Sequence, residues 1–282
     1  MRRTVTILFA LTMAMLFMAC PGLDRVLEVN MYEPFAGVSD AAIKDADSGE
    51  LLEMSASDSF YESLAEDPAA ETAALATIDA AMEDAEGAEY EDLAALGAMI
   101  LLETSPAGEL MENIALALPT LASGEAETDV DDILDLMLPD SVYDSDGELD
   151  EEAFTEMIDA MVAANEYYEL LGTEIGEEGY ASDEISAGDI ATAALVSAIV
   201  ANVEPPVGMS TGDFLLLVLD PDTDPEDPLL EEGSFEMPDM ESGYLYNLLA
   251  AGGISFGGAP DEGSGDEGST EPSPGESFAS IQ

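Results

Sequence analysis

The feature that most restricts the fold of this 282-residue chain is its near absence of basic side chains. The sequence has 64 Asp and Glu against four Lys and Arg, and no basic residue follows Lys44. Such a chain cannot rely on salt bridges, and it would repel nucleic acid and anionic lipid headgroups. Its 47% hydrophobic residues and slightly positive mean hydropathy nevertheless provide material for a core. We therefore expect a folded domain that is stabilised by apolar burial and does not bind nucleic acid.

The density of carboxylates predicts adaptation to high salt. A folded chain of this size exposes roughly 11,000 Å², so neighbouring charges lie about 13 Å apart. The Debye length is about 8 Å at physiological salt and about 3 Å at 1 M. Mutual repulsion is therefore appreciable in dilute buffer and almost absent in brine. An ordinary acidic envelope protein and a low-affinity cation buffer are the alternative interpretations.

The first twenty residues have the layout of an export signal. Arg2 and Arg3 precede an uncharged apolar run from Val5 to Met18, and the only cysteine, Cys20, follows. A basic end, a short apolar segment and small residues at the cut are typical of secretory signals. The run is shorter than the roughly 20 residues that a permanent span needs.

Residues 17–20, Phe-Met-Ala-Cys, resemble the lipobox of bacterial lipoprotein precursors, although Phe17 stands where leucine is usual. The resemblance is confined to residues 1–20. It implies that residues 1–19 are a signal peptide and that Cys20 carries a lipid. Pro34 and Gly37 make the following stretch linker-like, so we expect residues 20–38 to form a lipidated tether. The protein would then be extracytoplasmic, attached to the cell membrane or outer membrane. An uncleaved anchor and plain secretion remain alternatives.

Residues 39–256 have the pattern of successive helices. Apolar residues recur at helical spacing, as in Phe154, Met157, Ile158 and Met161, and no run alternates as a strand would. Five helix starts carry a capping side chain: Asp67, Ser105, Thr128, Ser186 and Ser210. The predicted class is all-α, with antiparallel helix pairs in a bundle or short helical array. True helical repeats are a second interpretation, although we find no fixed period.

Two stretches are apolar on every side. Residues 190–203 carry no charge and are too short to span a bilayer, so we expect the buried central helix of the domain. Residues 214–219 are leucine-rich and follow the capping pair Ser210 and Asp213, which favours a helix over a strand. Gly172 is among the residues expected to end a helix.

The composition changes in residues 257–282. Gly, Ser, Pro, Asp and Glu dominate there, as in Asp-Glu-Gly-Ser-Gly-Asp-Glu-Gly at 261–268. These residues cannot bury a core, so the sequence predicts a disordered acidic tail.

Two acidic loops partly match the calcium-binding loop of an EF-hand. Asp144, Asp146 and Asp150 fit positions 3, 5 and 9 around Gly147, but both end ligands are missing. We interpret this loop as a turn that caps a helix beginning near Glu151, with weak binding of Ca²⁺ or Mg²⁺ as the alternative.

The second loop supplies acids at four ligand positions. Asp220, Asp222, Asp224 and Glu231 fit positions 1, 3, 5 and 12, but Pro225 replaces the glycine that must turn sharply. We predict at most a weak site for Ca²⁺ or Mg²⁺ here, and no other cofactor.

Catalytic motifs receive little support. Residues 253–257 match G-x-S-x-G, but the chain has no histidine to complete a Ser-His-acid triad. We therefore expect a non-enzymatic scaffold or interaction protein of the cell envelope, whose partner is another envelope protein. A solute-capture or transport-accessory lipoprotein with an interhelical pocket is the alternative, and a carboxylate-based hydrolase is the third.

Overall fold

The computed structural model describes residues 38–122, 137–176, 186–219, 223, 229–230, 233–235 and 237–254. These residues form ten α-helices, one 3₁₀ turn at Asp140–Val142 and two short strands. The helices are α1 Asp40–Asp45, α2 Ser48–Met54, α3 Asp58–Glu66, α4 Pro68–Met82, α5 Ala88–Glu103, α6 Pro106–Ala122, α7 Glu151–Ile175, α8 Ala187–Ala201, α9 Thr211–Leu219 and α10 Gly243–Ala251. The strands β1 Val203–Glu204 and β2 Ser234–Phe235 pair antiparallel. The all-α class is confirmed.

Several helices begin where their capping residues predict. The Asp67 carboxylate accepts hydrogen bonds from the Ala69 and Ala70 amides at the start of α4. Ser186 accepts from the Asp189 amide, and Ser210 accepts from the Asp213 amide. The predicted start at Thr128 lies outside the described residues. Local capping therefore sets these boundaries, as the sequence indicated.

Helix α7 is the centre of the fold. It packs against α5, α6, α8, α9 and α10, and its predicted apolar stripe is buried. The helix continues past Gly172 to Ile175, so the prediction that this glycine ends a helix is wrong. A Cβ atom at position 172 would lie 2.4 Å from the Tyr244 carbonyl oxygen. Glycine is therefore required because the backbones of α7 and α10 approach closely at this crossing.

The apolar stretch at 190–203 forms a buried helix, but not over its whole length. Helix α8 ends at Ala201, and Val203 belongs to β1, where it pairs with Phe235. Helix α8 packs against α7 and α10, and the predicted central position in the fold is taken by α7 instead. The stretch 214–219 is helical, as the capping pair predicted, and lies within α9.

Consecutive helices α5 and α6 meet at a sharp bend. The axes of Ala88–Glu103 and Pro106–Ile114 differ by 98°. Those two segments together have the length and apolar composition of a membrane span, whereas no single helix of the described residues has both. Helix α5 is buried along residues 91–98, mainly against α7 and α4. The bend leaves a corner where five helices bring acidic side chains together.

Candidate functional site

The bend between α5 and α6 carries a group of polar side chains that we call the acidic corner. It consists of Tyr61 on α3, Glu71 on α4, Glu103 and Thr104 at the end of α5, and Tyr168 on α7. The last carbonyls of α5 are capped by hydroxyl groups: Thr104 donates to the Ile100 oxygen (2.7 Å), and Ser105 donates to the Leu101 and Leu102 oxygens (3.0 Å each). No cation occupies the last turn of α5, although the helix dipole favours one there.

Glu71 reaches this corner from α4. The Thr104 hydroxyl lies 3.3 Å from Glu71 Oε1 and shares its proton between this oxygen and the Ile100 carbonyl oxygen. Burial raises the pKa of Glu71, the Thr104 hydrogen bond partly offsets this effect, and the nearby charge of Glu156 adds to it. Glu71 is therefore easier to protonate in the folded protein than an ordinary glutamate.

Glu103 is the second acid of the corner. Its side chain reaches solvent, but its carboxylate lies against α6, with Oε2 only 3.1 Å from where a Cβ at Gly108 would stand. Burial raises the pKa of Glu103, and the charges of Glu112 and Asp58 raise it further. Among the described residues there is no cation here to offset this repulsion, because the only base, Lys44, is paired with Asp67.

Two buried phenols border Glu103. The Tyr61 hydroxyl is buried and has no hydrogen-bond partner among the residues that the structure describes, while its ring packs edge-on against Phe60 with centroids 5.1 Å apart. Tyr168 is 1% exposed. Burial, followed by the charge of Glu103, raises the pKa of both tyrosines. The Ser55 hydroxyl partly offsets the effect on Tyr61, although it donates its own proton to the Leu52 carbonyl oxygen at 2.8 Å.

These groups give the acidic corner one clear chemical capacity, which is to bind protons. Glu71 and Glu103 accept protons at a higher pH than exposed glutamates, and both tyrosines remain protonated phenols. The sequence alone does not reveal the corner, because its members are scattered over more than 100 positions. The one local signal is Glu103, which directly follows the uncharged apolar run from Leu93 to Leu102.

A single ion pair is present in the described part of the chain. Lys44 Nζ contacts Asp67 Oδ2 and joins the end of α1 to the start of α4. The Asp67 carboxylate also caps α4, and the hydrogen bond from Lys44 is the main reason why its pKa is lowered. Several other acids, such as Glu71 and Asp150, accept hydrogen bonds from hydroxyl groups or backbone amides instead.

The acidic loop at 144–150 forms the predicted turn. Asp144 Oδ1 accepts from the Asp146 amide (2.8 Å) and the Glu148 amide (2.9 Å), while Gly147 has a positive φ of 80°. Asp150 caps α7 by accepting from the Glu152 and Ala153 amides. The prediction that this loop caps a helix at Glu151 is confirmed. No group of three or more potential metal ligands is found within the described ranges. The weak cation site at Asp144, Asp146 and Asp150 stays a prediction.

The remaining predicted sites lie outside the described residues. These are the lipidation site Cys20 and the second acidic loop with Asp220, Asp222, Asp224 and Glu231. They also stay predictions, as does the acidic tail at 257–282.

Tyrosines on α7 and α10 mostly pack helices together. Tyr168 is buried, and the Tyr167 hydroxyl donates to Asp79 Oδ1 at 2.7 Å, tying α7 to α4. The Tyr244 hydroxyl donates to Asn165 Oδ1 at 2.9 Å, tying α10 to α7. Tyr246 is 46% exposed.

No protein family model matches this chain, and no curated protein or solved structure matches it either.

Proposed function

We propose that this protein is a lipid-anchored, extracytoplasmic helical scaffold or interaction protein of the cell envelope that works in high salt. The anchor is supported by the signal-like segment 1–19 and by Cys20, the only cysteine of the chain. The absence of any basic residue after Lys44 makes direct adhesion to anionic headgroups unfavourable. A covalent lipid attaches such a chain to a membrane without that contact. A single acyl chain binds only reversibly, so a stable attachment needs a second acyl chain or another interaction.

The acidic corner is the structural observation that best supports the proposed adaptation to high salt. Five helices, α3 to α7, bring Asp58, Glu71, Glu103, Glu112 and Glu156 close enough to affect one another or their neighbours. Repulsion of this kind is tolerable where the Debye length falls to about 3 Å. The same fold in dilute buffer would carry the full cost of its net charge of −60.

A scaffold role is supported by the use that the fold makes of its polar side chains. Tyr167, Tyr244 and Asn247 donate hydrogen bonds between helices, to Asp79 Oδ1, Asn165 Oδ1 and the Gly172 carbonyl oxygen. Asp67, Asp150 and Ser186 cap helices. These polar groups fix helices to one another or stabilise helix ends, and a rigid helical body presents fixed surfaces to a partner.

Metabolic labelling with radioactive palmitate tests the anchor. We expect the wild-type chain to take up label and the Cys20→Ser variant to take up none. A matched control, Cys20→Ser combined with Ser280→Cys, keeps one thiol but moves it to the tail. It should stay unlabelled, because acylation depends on the signal segment and not on a free thiol. A wild-type chain that never acquires label would remove the lipid anchor from the proposal.

A further inference from the structure

Helix α1 is the first described helix, and it follows directly on the predicted tether at 20–38. It has only six residues. Helices this short are unstable by themselves, because nucleation costs more than a few hydrogen bonds return. Its position therefore depends on what holds it to the body of the protein.

The attachments of α1 are few. Ile43 is 1% exposed and belongs to the core, and Ala46 after the helix is 8% exposed. The Ser63 hydroxyl on α3 donates to the Val38 carbonyl oxygen at 2.8 Å. Lys44 makes the ion pair with Asp67 at the start of α4. Val38 is half-buried and also packs against the core, whereas the two side-chain attachments made by Ser63 and Lys44 are polar and lie at or near the surface.

The ion pair is well placed to act as a clip. Lys44 lies in the last turn of α1, where the helix dipole favours a cation, and Asp67 is the N-cap of α4, where it favours an anion. One Asp67 oxygen contacts Lys44, while the other accepts from the Ala69 and Ala70 amides, at 3.0 and 3.3 Å. Both partners are partly exposed, with 37% and 26% of their side-chain surface accessible, so dissolved salt screens the pair.

The central helix of the fold is held far more firmly. Helix α7 buries ten residues and contacts five other helices. Segments with few buried contacts open locally at a lower free energy than the core. Residues 38–46 meet that condition, whereas α7 does not.

We propose that residues 38–46 are a releasable strap, which the burial of Ile43 and Ala46 holds closed against α3 and α4 and which the Lys44–Asp67 pair reinforces in dilute salt. When the strap is closed, the chain is held to the body from Val38 onward. When it opens, nine residues are released, and they span up to about 30 Å if they are fully extended. If the proposed lipid anchor holds the chain to a membrane, the state of the strap sets how far the body stands from that membrane.

Hydrogen exchange of the full chain, followed by mass spectrometry, tests the strap. In the wild type we expect amides of residues 40–46 to exchange faster than those of residues 154–171 in α7. In dilute salt, Lys44→Gln should speed exchange of residues 40–46 by about two- to five-fold and leave α7 unchanged. The difference between variant and wild type should shrink in multimolar salt, because the pair is screened.

Two further variants separate the clip from simple changes in charge. Arg25→Gln removes the same charge as Lys44→Gln but leaves the clip intact, so exchange of residues 40–46 should match the wild type. Asp67→Asn keeps a good capping residue and removes only the partner charge, so it should behave like Lys44→Gln. Combining Lys44→Gln with Asp67→Asn should add little beyond either single change.

Two results would overturn the proposal. One is equal exchange of residues 40–46 and α7 in the wild type, which would mean that α1 opens only when the whole protein unfolds. The other is equal local exchange in Lys44→Gln and Arg25→Gln. Neither result depends on acylation, so a failure of palmitate labelling and a failure of the strap are distinguishable.

Discussion

Substituting Gly172 by alanine tests the packing at the centre of the fold. The added Cβ would lie 2.4 Å from the Tyr244 carbonyl oxygen and 3.0 Å from Leu248 Cγ. Ordinary contact begins near 3.4 Å, so α10 must retreat by about 1 Å, the difference between 3.4 and 2.4 Å. That movement also strains the hydrogen bond from Asn247 Nδ2 to the Gly172 carbonyl oxygen, which measures 2.8 Å.

Three effects determine the change in the free energy of unfolding. Overpacking that shifts backbone costs about 1–3 kcal/mol. Loss of the Asn247 hydrogen bond adds about 1 kcal/mol. The better helix propensity of alanine offsets about 1 kcal/mol. The expected net destabilisation is about 2 kcal/mol, equivalent to a fall in Tm of about 4–8 °C for a domain of this size.

Thermal unfolding followed by far-ultraviolet circular dichroism, at one fixed multimolar salt concentration, measures this change. Gly49→Ala is the matched control, because its added Cβ would meet only Asp47 Oδ1, at an ordinary 3.5 Å. Gly49 lies inside α2, so this variant should equal or slightly exceed the wild-type Tm. A Gly172→Ala protein as stable as the wild type would refute the close crossing of α7 and α10.

Two further predictions concern charge. Because burial raises the pKa of Glu103, the folded state binds a proton that the unfolded state has already lost, so stability falls as pH rises between the ordinary and the raised pKa. Glu103→Gln should flatten this fall and raise the Tm at neutral pH. The control is Glu53→Gln, and identical pH profiles of stability for the two variants would contradict the prediction. The Tm of the wild type should rise from about 0.1 M to about 1 M NaCl as the Debye length shortens from about 10 Å to about 3 Å. A Tm that does not change across this series would remove the proposed adaptation to salt.

Local signals were sufficient to predict much of the fold. Asp67, Ser186 and Ser210 cap helices as expected, and the spacing of Phe154, Met157 and Ile158 marked the buried face of α7. Asp150 was correctly predicted to cap a helix at Glu151. Each of these features depends on residues within about one or two helical turns, so the local sequence is enough to predict it.

Long-range contacts were not predictable in this way. Gly172 has the appearance of a helix stop in the sequence, but α7 continues through it. Glycine is needed there because the backbone of Tyr244, 72 positions later in the chain, packs against it. The acidic corner likewise depends on Thr104 meeting Glu71 across 33 positions. No local pattern specifies such a meeting.

The sequence by itself determined the all-α class, the sites of several helix caps and the strongly anionic character of the chain. Only the tertiary structure decided that α7 is the central helix, that acids from five helices share one corner and that Lys44 pairs with Asp67. The physical reason is that hydrophobic burial constrains which face of a helix turns inward, but not which other helix it meets. Partner choice follows from packing of the whole chain, and that packing places each charge among its neighbours.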